Sequence, residues 1–193
     1  YFKNEKMTKK INNLVALKKN GSFELDLNYF NHYQFHRPNY YNQKLIDYIG
    51  TRPRDQNSKK MEKIYYEIAY AAQNTFEKIY FHQIKHLNKI SKVKNLVIAG
   101  GCALNCLANG KIKKETGFSN IFISPVPDDS GACLGAASYL FKVILKKKKE
   151  VKLKNYYLGP SFNSSEVEKI LKKYQISYTI LKKPEKSAAN DIA

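Results

Sequence analysis

Two stretches carry residues whose types and spacing can do chemistry. The first, Asn95 to Gly110, reads NLVIAGGCALNCLANG. A strand ends there, Gly100 and Gly101 turn the chain, and a helix begins. That order lets backbone N–H groups approach an anion at a helix N-terminus. It is neither a Walker loop nor G-x-G-x-x-G, because no Lys-Ser/Thr pair follows and the glycine spacing differs. Asn105 and Asn109 stand four apart, which on a helix places them on one face, with Leu104, Leu107, Ala108 and Ile112 as the buried face beside them. Asparagine and glycine disfavour a helix by on the order of 1–2 kcal/mol in sum relative to alanine. Two readings account for that cost. The amides serve a nucleotide sugar or phosphate, or Asn105 caps a helix and Asn109-Gly110 ends one.

The second stretch, PVPDDSG, follows another strand and places Asp128, Asp129 and Ser130 at a helix start. Capping explains one acid, while two adjacent acids in such a turn also suit a divalent metal beside phosphates. Gly131 and Gly135, with Ala132 and Ala136, form a small-residue stripe that favours close packing. The four histidines form two HxxxH pairs, His32/His36 and His82/His86. Neither pair has the acid of an HExxH site, and a solvated helix face is the favoured reading of His82 and His86. Cys102, Cys106 and Cys133 are odd in number and lack zinc-ribbon spacing, which argues against a disulfide framework and for a reducing, cytoplasmic compartment.

The elements that must position these residues follow from periodicity. Leu14 to Leu17, the turn signal Asn20-Gly21, and alternating Phe23, Leu25 and Leu27 predict a hairpin. Residues 31–54 are irregular, with a short helix near Gln43 to Tyr48. Ile64, Ile68, Ala71 or Ala72, Thr75 or Phe76, and Ile79 predict one long helix from Met61 to about Asn88. Two strand–turn–helix units come next: KNLVIA with a helix through Lys114, and NIFIS with a helix from about Gly131 to Leu145. This alternation is that of an α/β fold. A lysine-rich linker near 146–156 separates a second segment, in which Ser164 or Ser165 caps a helix ending near Tyr174 and a strand follows.

The 193 residues carry a formal net charge of +18, from 34 Lys and Arg against 16 Asp and Glu. Lysines scattered over solvated faces explain this better than a nucleic-acid or membrane surface, since arginine, the better phosphate reader, is scarce. No stretch approaches the roughly 20 apolar residues of a membrane span.

NLVIAGGCALNCLANGKI, IFISPVPDDSGACLGAA and YLGPSF together closely resemble the nodulation-protein-U type O-carbamoyltransferases, which include antibiotic carbamoyltransferases. NGSFELDLNYF and EIAYAAQNTFE, which carries Gln73, match that family upstream in the same order. The resemblance implies the second half of an actin-like (ASKHA, ribonuclease H-like) domain over 1–150. It implies the start of a YrdC-like α/β domain over 151–193. It also implies that ATP and carbamoyl phosphate yield a carbamoyl-adenylate, whose carbamoyl group passes to a hydroxylated small-molecule acceptor. By motif position, Gly100, Gly101, Asn105 and Asn109 would bind the nucleotide, and Asp129 would be a ligand of a divalent metal, iron or magnesium-like. The family's histidine ligands and its arginine-rich catalytic segment fall outside residues 1–193. The chain is therefore expected to be an internal fragment, inactive alone, and its catalytic residues are not assigned. The resemblance allows a homodimer and involves neither nucleic acid nor membrane. Two rival readings are another nucleotide-binding ASKHA protein, of the sugar kinase or tRNA threonylcarbamoyl transferase kind, and a basic RNA-binding module. YLGPSF argues against the first and the absence of RNP-like aromatic clustering against the second.

Overall fold

The computed structural model describes residues 2–35, 39–148 and 159–192. The chain divides into two compact units, Tyr1–Lys147 and Lys148–Ala193.

The first unit opens with α1 (Glu5–Asn12), whose N-cap Asn4 accepts the Met7 N–H. Strands β1 (Val15–Leu17) and β2 (Phe23–Leu25) pair antiparallel, with Leu17 opposite Phe23. The turn is longer than the two residues its Asn-Gly signal suggests. Lys18 N–H donates to Ser22 O at 2.9 Å, and Gly21 N–H returns to Lys18 O at 3.1 Å. Gly21 supplies the left-handed residue at φ +83°. The irregular stretch then carries α2 (Gln43–Ile49), capped by Asn42 and ended by left-handed Gly50.

The long helix, α3 (Lys63–Ser91), is 29 residues, or about 43 Å of rise. Its buried positions Glu67, Ala71 and Thr75 recur every four residues. They face α1, where Asn4 donates to Glu67 Oε2 at 2.7 Å and Thr75 Oγ1 donates to Asn12 Oδ1 at 3.1 Å. Farther along, Tyr80, Phe81 and Ile84 join Leu96, Ala108, Ile112 and Phe118 in the core.

Strand β3 (Asn95–Ile98) pairs in parallel with β4 (Asn120–Ile123), Val97 lying opposite Phe122. Alternation decides their burial. Leu96 is buried, and Ile98, Ile121 and Ile123 pack on the α3 core, whereas Val97 and Phe122 are 72% and 56% exposed on the other face. An α/β architecture is thus present, in the form of small sheets.

Four sequence expectations need correction. The helix after the glycine turn is not continuous: a 3-10 turn (Gly101–Leu104) is followed by α4 (Cys106–Asn109) and α5 (Ile112–Glu115). The helix expected over Gly131–Leu145 begins as a 3-10 turn, becomes α6 (Ala132–Tyr139) and ends as a π turn (Leu140–Ile144). In the second unit α7 (Ser164–Lys173) is capped by Asn163, not by either serine, in a reciprocal box with Glu166. No strand follows Tyr174; the chain runs irregularly into α8 (Pro184–Ile192). Tyr157 and Leu158 of YLGPSF, and the linker from 149, lie outside the described residues.

Among the described residues no helix is long and apolar enough to cross a membrane.

Candidate functional site

The parallel strands bring the two turns together at their carboxyl ends. Gly100 N–H donates to Pro127 O at 2.6 Å, linking the first turn to the second. Gly100 sits at φ +101°, and nothing lies within 4 Å of where a β-carbon would stand on Gly100 or Gly101. The space a side chain would fill is therefore open at both glycines. A cleft beside this turn is lined by Ala99, Ser124, Pro127, Asp128, Gly131 and Ala132. In open parallel sheets, ligands gather in the crevice beyond the strand ends.

The asparagines are placed differently from the expected helix face. Asn105 has non-helical backbone (φ −74°, ψ 87°) and is the N-cap of α4, its Oδ1 accepting the Ala108 N–H at 3.0 Å. Asn109 ends the same four-residue helix. Each amide reaches α3. Asn105 Nδ2 donates to Gln73 Oε1 at 2.9 Å and Gln73 Nε2 returns to Asn105 Oδ1 at 3.1 Å. Tyr80 Oη donates to Asn109 Oδ1 at 3.0 Å, and Asn109 Nδ2 donates to Ala103 O at 2.7 Å. Burial pushes the Tyr80 phenol above its ordinary pKa, with the charge of Cys102 adding to the effect, so it stays a neutral donor. The break at Asn105 also changes which residues are covered. Ala103, Ala108 and Ile112 are buried, whereas Leu104 and Leu107 are 58% and 62% exposed.

A charged pair braces this network. Gln73 Nε2 donates to Glu77 Oε1 at 3.0 Å, and Lys111 Nζ reaches both Glu77 oxygens at 2.7 and 2.6 Å. Burial pushes the Glu77 carboxyl up, but the hydrogen bonds from Gln73 and Lys111, with the Lys111 charge, outweigh it and hold the carboxyl below its ordinary range. A carboxylate depressed on folding stabilises above its unfolded pKa, and that contribution is lost as pH falls through the folded value. Acidification below about pH 4.5 should therefore lower the melting temperature, and Glu77→Gln should flatten that limb. Thermal melts from pH 7 to 3 check this, and parallel profiles for the two proteins would count against it.

The acids of the second turn separate. Ser130 Oγ donates to Asp128 Oδ1 at 2.5 Å, and that hydrogen bond holds the Asp128 carboxyl below its ordinary range. Asp129 begins the 3-10 turn and is exposed. Neither side chain caps that turn or α6. At Gly131 a β-carbon would collide with the Val126 carbonyl oxygen, so close packing does explain this glycine, whereas nothing lies within 4 Å of where a β-carbon on Gly135 would stand. Among the described residues no three His, Cys, Asp or Glu side chains converge as a metal site.

His82 and His86 are not on a solvated face. Both are half-buried against the hairpin tip, where His82 Nε2 lies 2.9 Å from Lys18 O and the His86 ring sits where a β-carbon on Gly21 would be. The carbonyl can only accept, so Nε2 carries the proton. These histidines are structural. His36 lies outside the described residues. All three cysteines are free and exposed.

Gln73 and Tyr80 were not singled out as site residues by sequence reasoning. Their spacing of seven, two turns of one helix, is the signal that could have found them.

Residues 3–138 match the family described as carbamoyltransferase N-terminus. The chain is 33% identical over 166 residues to an uncharacterized protein of Synechocystis sp., covering 84% of this chain and 26% of that protein. It is 34% identical over 98 residues to nodulation protein NolNO of Sinorhizobium fredii, covering 51% and 14%. With nodulation protein U of Azorhizobium caulinodans it shares 43% identity over 44 residues, 23% of this chain and 8% of the relative. The chain thus spans about a quarter or less of the length of these relatives. The matched span contains both strand–turn units and the helix α3 that supports them, and the chain belongs to the carbamoyltransferase N-terminus family.

Proposed function

We propose that the chain serves an O-carbamoyltransferase that uses ATP and carbamoyl phosphate, and that the turn at Gly100-Gly101 with Asn105 and Asn109 receives the nucleotide. The observation that carries this is the family match over residues 3–138. In this reading 1–150 belong to an actin-like domain and 151–193 lead into a YrdC-like one. Water cleaves carbamoyl phosphate to carbamate and phosphate, and the carbamate oxygen attacks the α-phosphorus of ATP, so that diphosphate leaves and carbamoyl adenylate forms. A hydroxyl of a small-molecule acceptor then takes the carbamoyl group, and AMP leaves.

The residues present fit the nucleotide better than the metal. The open backbone at Gly100 and Gly101 admits a phosphate or sugar oxygen, and the amides at Asn105 and Asn109, at the two ends of α4, would add donors. For the metal, Asp129 is the acid the resemblance assigns, and among the described residues no group of three His, Cys, Asp or Glu side chains forms around it. No step is therefore drawn through a metal.

Two measurements test the reading. Diphosphate release from ATP by the full native polypeptide should require carbamoyl phosphate; release independent of it, or none, would reject the activity. Asn105→Ala and Asn109→Ala should each weaken ATP binding by about 3- to 10-fold, for one lost hydrogen bond of roughly 0.5–1.5 kcal/mol. Because Asn105 also caps α4, its alanine variant should lose about 1 kcal/mol of stability as well. Unaltered affinity in both variants would make the asparagines purely structural.

A further inference from the structure

We infer that Gln73 and Tyr80 are positioning residues, which from one face of α3 fix the side-chain amides of Asn105 and Asn109 so that each presents an N–H donor to an oxygen-rich ligand. The inference rests on the nucleotide reading above and adds what holds the site and what it selects.

A primary amide has two N–H donors and an oxygen with two lone pairs. At Asn105 the oxygen is filled by the Ala108 N–H and by Gln73 Nε2, while one Nδ2 hydrogen goes to Gln73 Oε1. At Asn109 the oxygen takes the Tyr80 hydroxyl and one Nδ2 hydrogen goes to Ala103 O. Each asparagine keeps one N–H that no described residue accepts. The contacts left for a ligand are therefore chiefly donors, which suits phosphate, ribose or carbonyl oxygens.

A single cap bond leaves the Asn105 amide free to rock about its side-chain torsions. The reciprocal pair with Gln73 fixes the plane of the amide, and Glu77, itself held by Lys111, anchors Gln73. Tyr80 is 8% exposed and its ring stacks on Phe76 at 5.3 Å, so its hydroxyl approaches Asn109 from a rigid base. The Ala103 carbonyl can only accept, so it fixes which end of the Asn109 amide is the nitrogen, and the Tyr80 hydroxyl donates to the oxygen at the other end. Donors held in place during folding need no ordering when the ligand arrives, which strengthens binding without adding a contact.

The test is calorimetric titration of ATP, with and without magnesium, into the full native polypeptide. Gln73→Leu and Tyr80→Phe are measured alone and in the Asn105→Ala and Asn109→Ala backgrounds. Each single change should weaken ATP by about 3- to 10-fold. The Gln73 effect should vanish beside Asn105→Ala and persist beside Asn109→Ala, with the reverse for Tyr80. Tyr80→Phe keeps the ring packing, so it carries the test even if Gln73→Leu fails to fold. Losses of equal size in every background would mean a general loosening of α3 and would overturn the inference. Wild-type ATP binding with unaltered affinity in both single variants would overturn it alone. Absence of ATP binding by the wild type would overturn it together with the nucleotide reading.

Discussion

Replacing Phe118 by alanine should lower the unfolding free energy of the first unit by about 3–5 kcal/mol, the usual cost of emptying a buried aromatic position. Phe118 is 2% exposed and, with Ile112, is among the largest fully buried side chains. It shares a core with Tyr80, Phe81, Ile84, Leu96 and Ala108, contributed by α3, β3 and α4. No single neighbour can move to fill the space, because each is fixed by its own helix or strand. A domain of ordinary stability has about 5–15 kcal/mol in total, so the loss is a large fraction. Urea titration should show a lower midpoint at an unaltered slope. Ile112→Val, which removes one methyl group, should cost only about 0.5–1.5 kcal/mol. A midpoint within error of wild type for Phe118→Ala would mean that this core does not hold the unit together.

Gly21→Ala should be nearly as damaging, by two separable routes. Gly21 is buried at φ +83°, where an L side chain pays about 1–2 kcal/mol, and its new β-carbon would strike the His86 ring. Forcing extra volume into a filled contact adds roughly 1–3 kcal/mol. The clash also threatens the neighbouring His82–Lys18 hydrogen bond, which pins the hairpin tip to α3. The double variant Gly21→Ala/His86→Ala should recover part of the loss, measured against His86→Ala alone, and leave the backbone part. A Gly21→Ala protein that melts with the wild type would refute both routes.

Local patterning made most of the first unit legible. The hairpin follows from alternation around Asn20-Gly21, and α3 from apolar spacing between Ile64 and Ile79. Both are properties of neighbouring residues, which a sequence displays directly. What was hidden depends on partners far along the chain. His82 and His86 look solvated on a helix read by itself, because Lys18 and Gly21 lie some sixty residues away in sequence. The break at Asn105 was likewise masked. CALNCLAN contains good helix formers on both sides, and the break is held by Gln73 as well as by the local Ala108 cap. Leu104 and Leu107 were assigned to the core for the same reason, since a continuous helix would have turned them inward. Asn163 was a different miss. The Asn163…Glu166 spacing was visible, and the adjacent serines competed for the same role. The strand expected after Tyr174 is absent from the second unit, where the described residues offer no strand for it to pair with.

The length of α3 has a further consequence, for how the first unit opens. Its early turns hold α1 through Glu67 and Thr75, its middle holds α4 through Gln73 and Tyr80, and its later turns hold the hairpin through His82 and His86. Neither the hairpin nor the two-stranded parallel sheet is large enough to persist alone. A fluctuation that melts the middle of α3 therefore releases the other elements with it, instead of opening one corner. Amides near Ala71 to Tyr80 can exchange with solvent only through that concerted event. Their protection reports the global unfolding free energy, while α2 and the chain around it are free to open at lower cost.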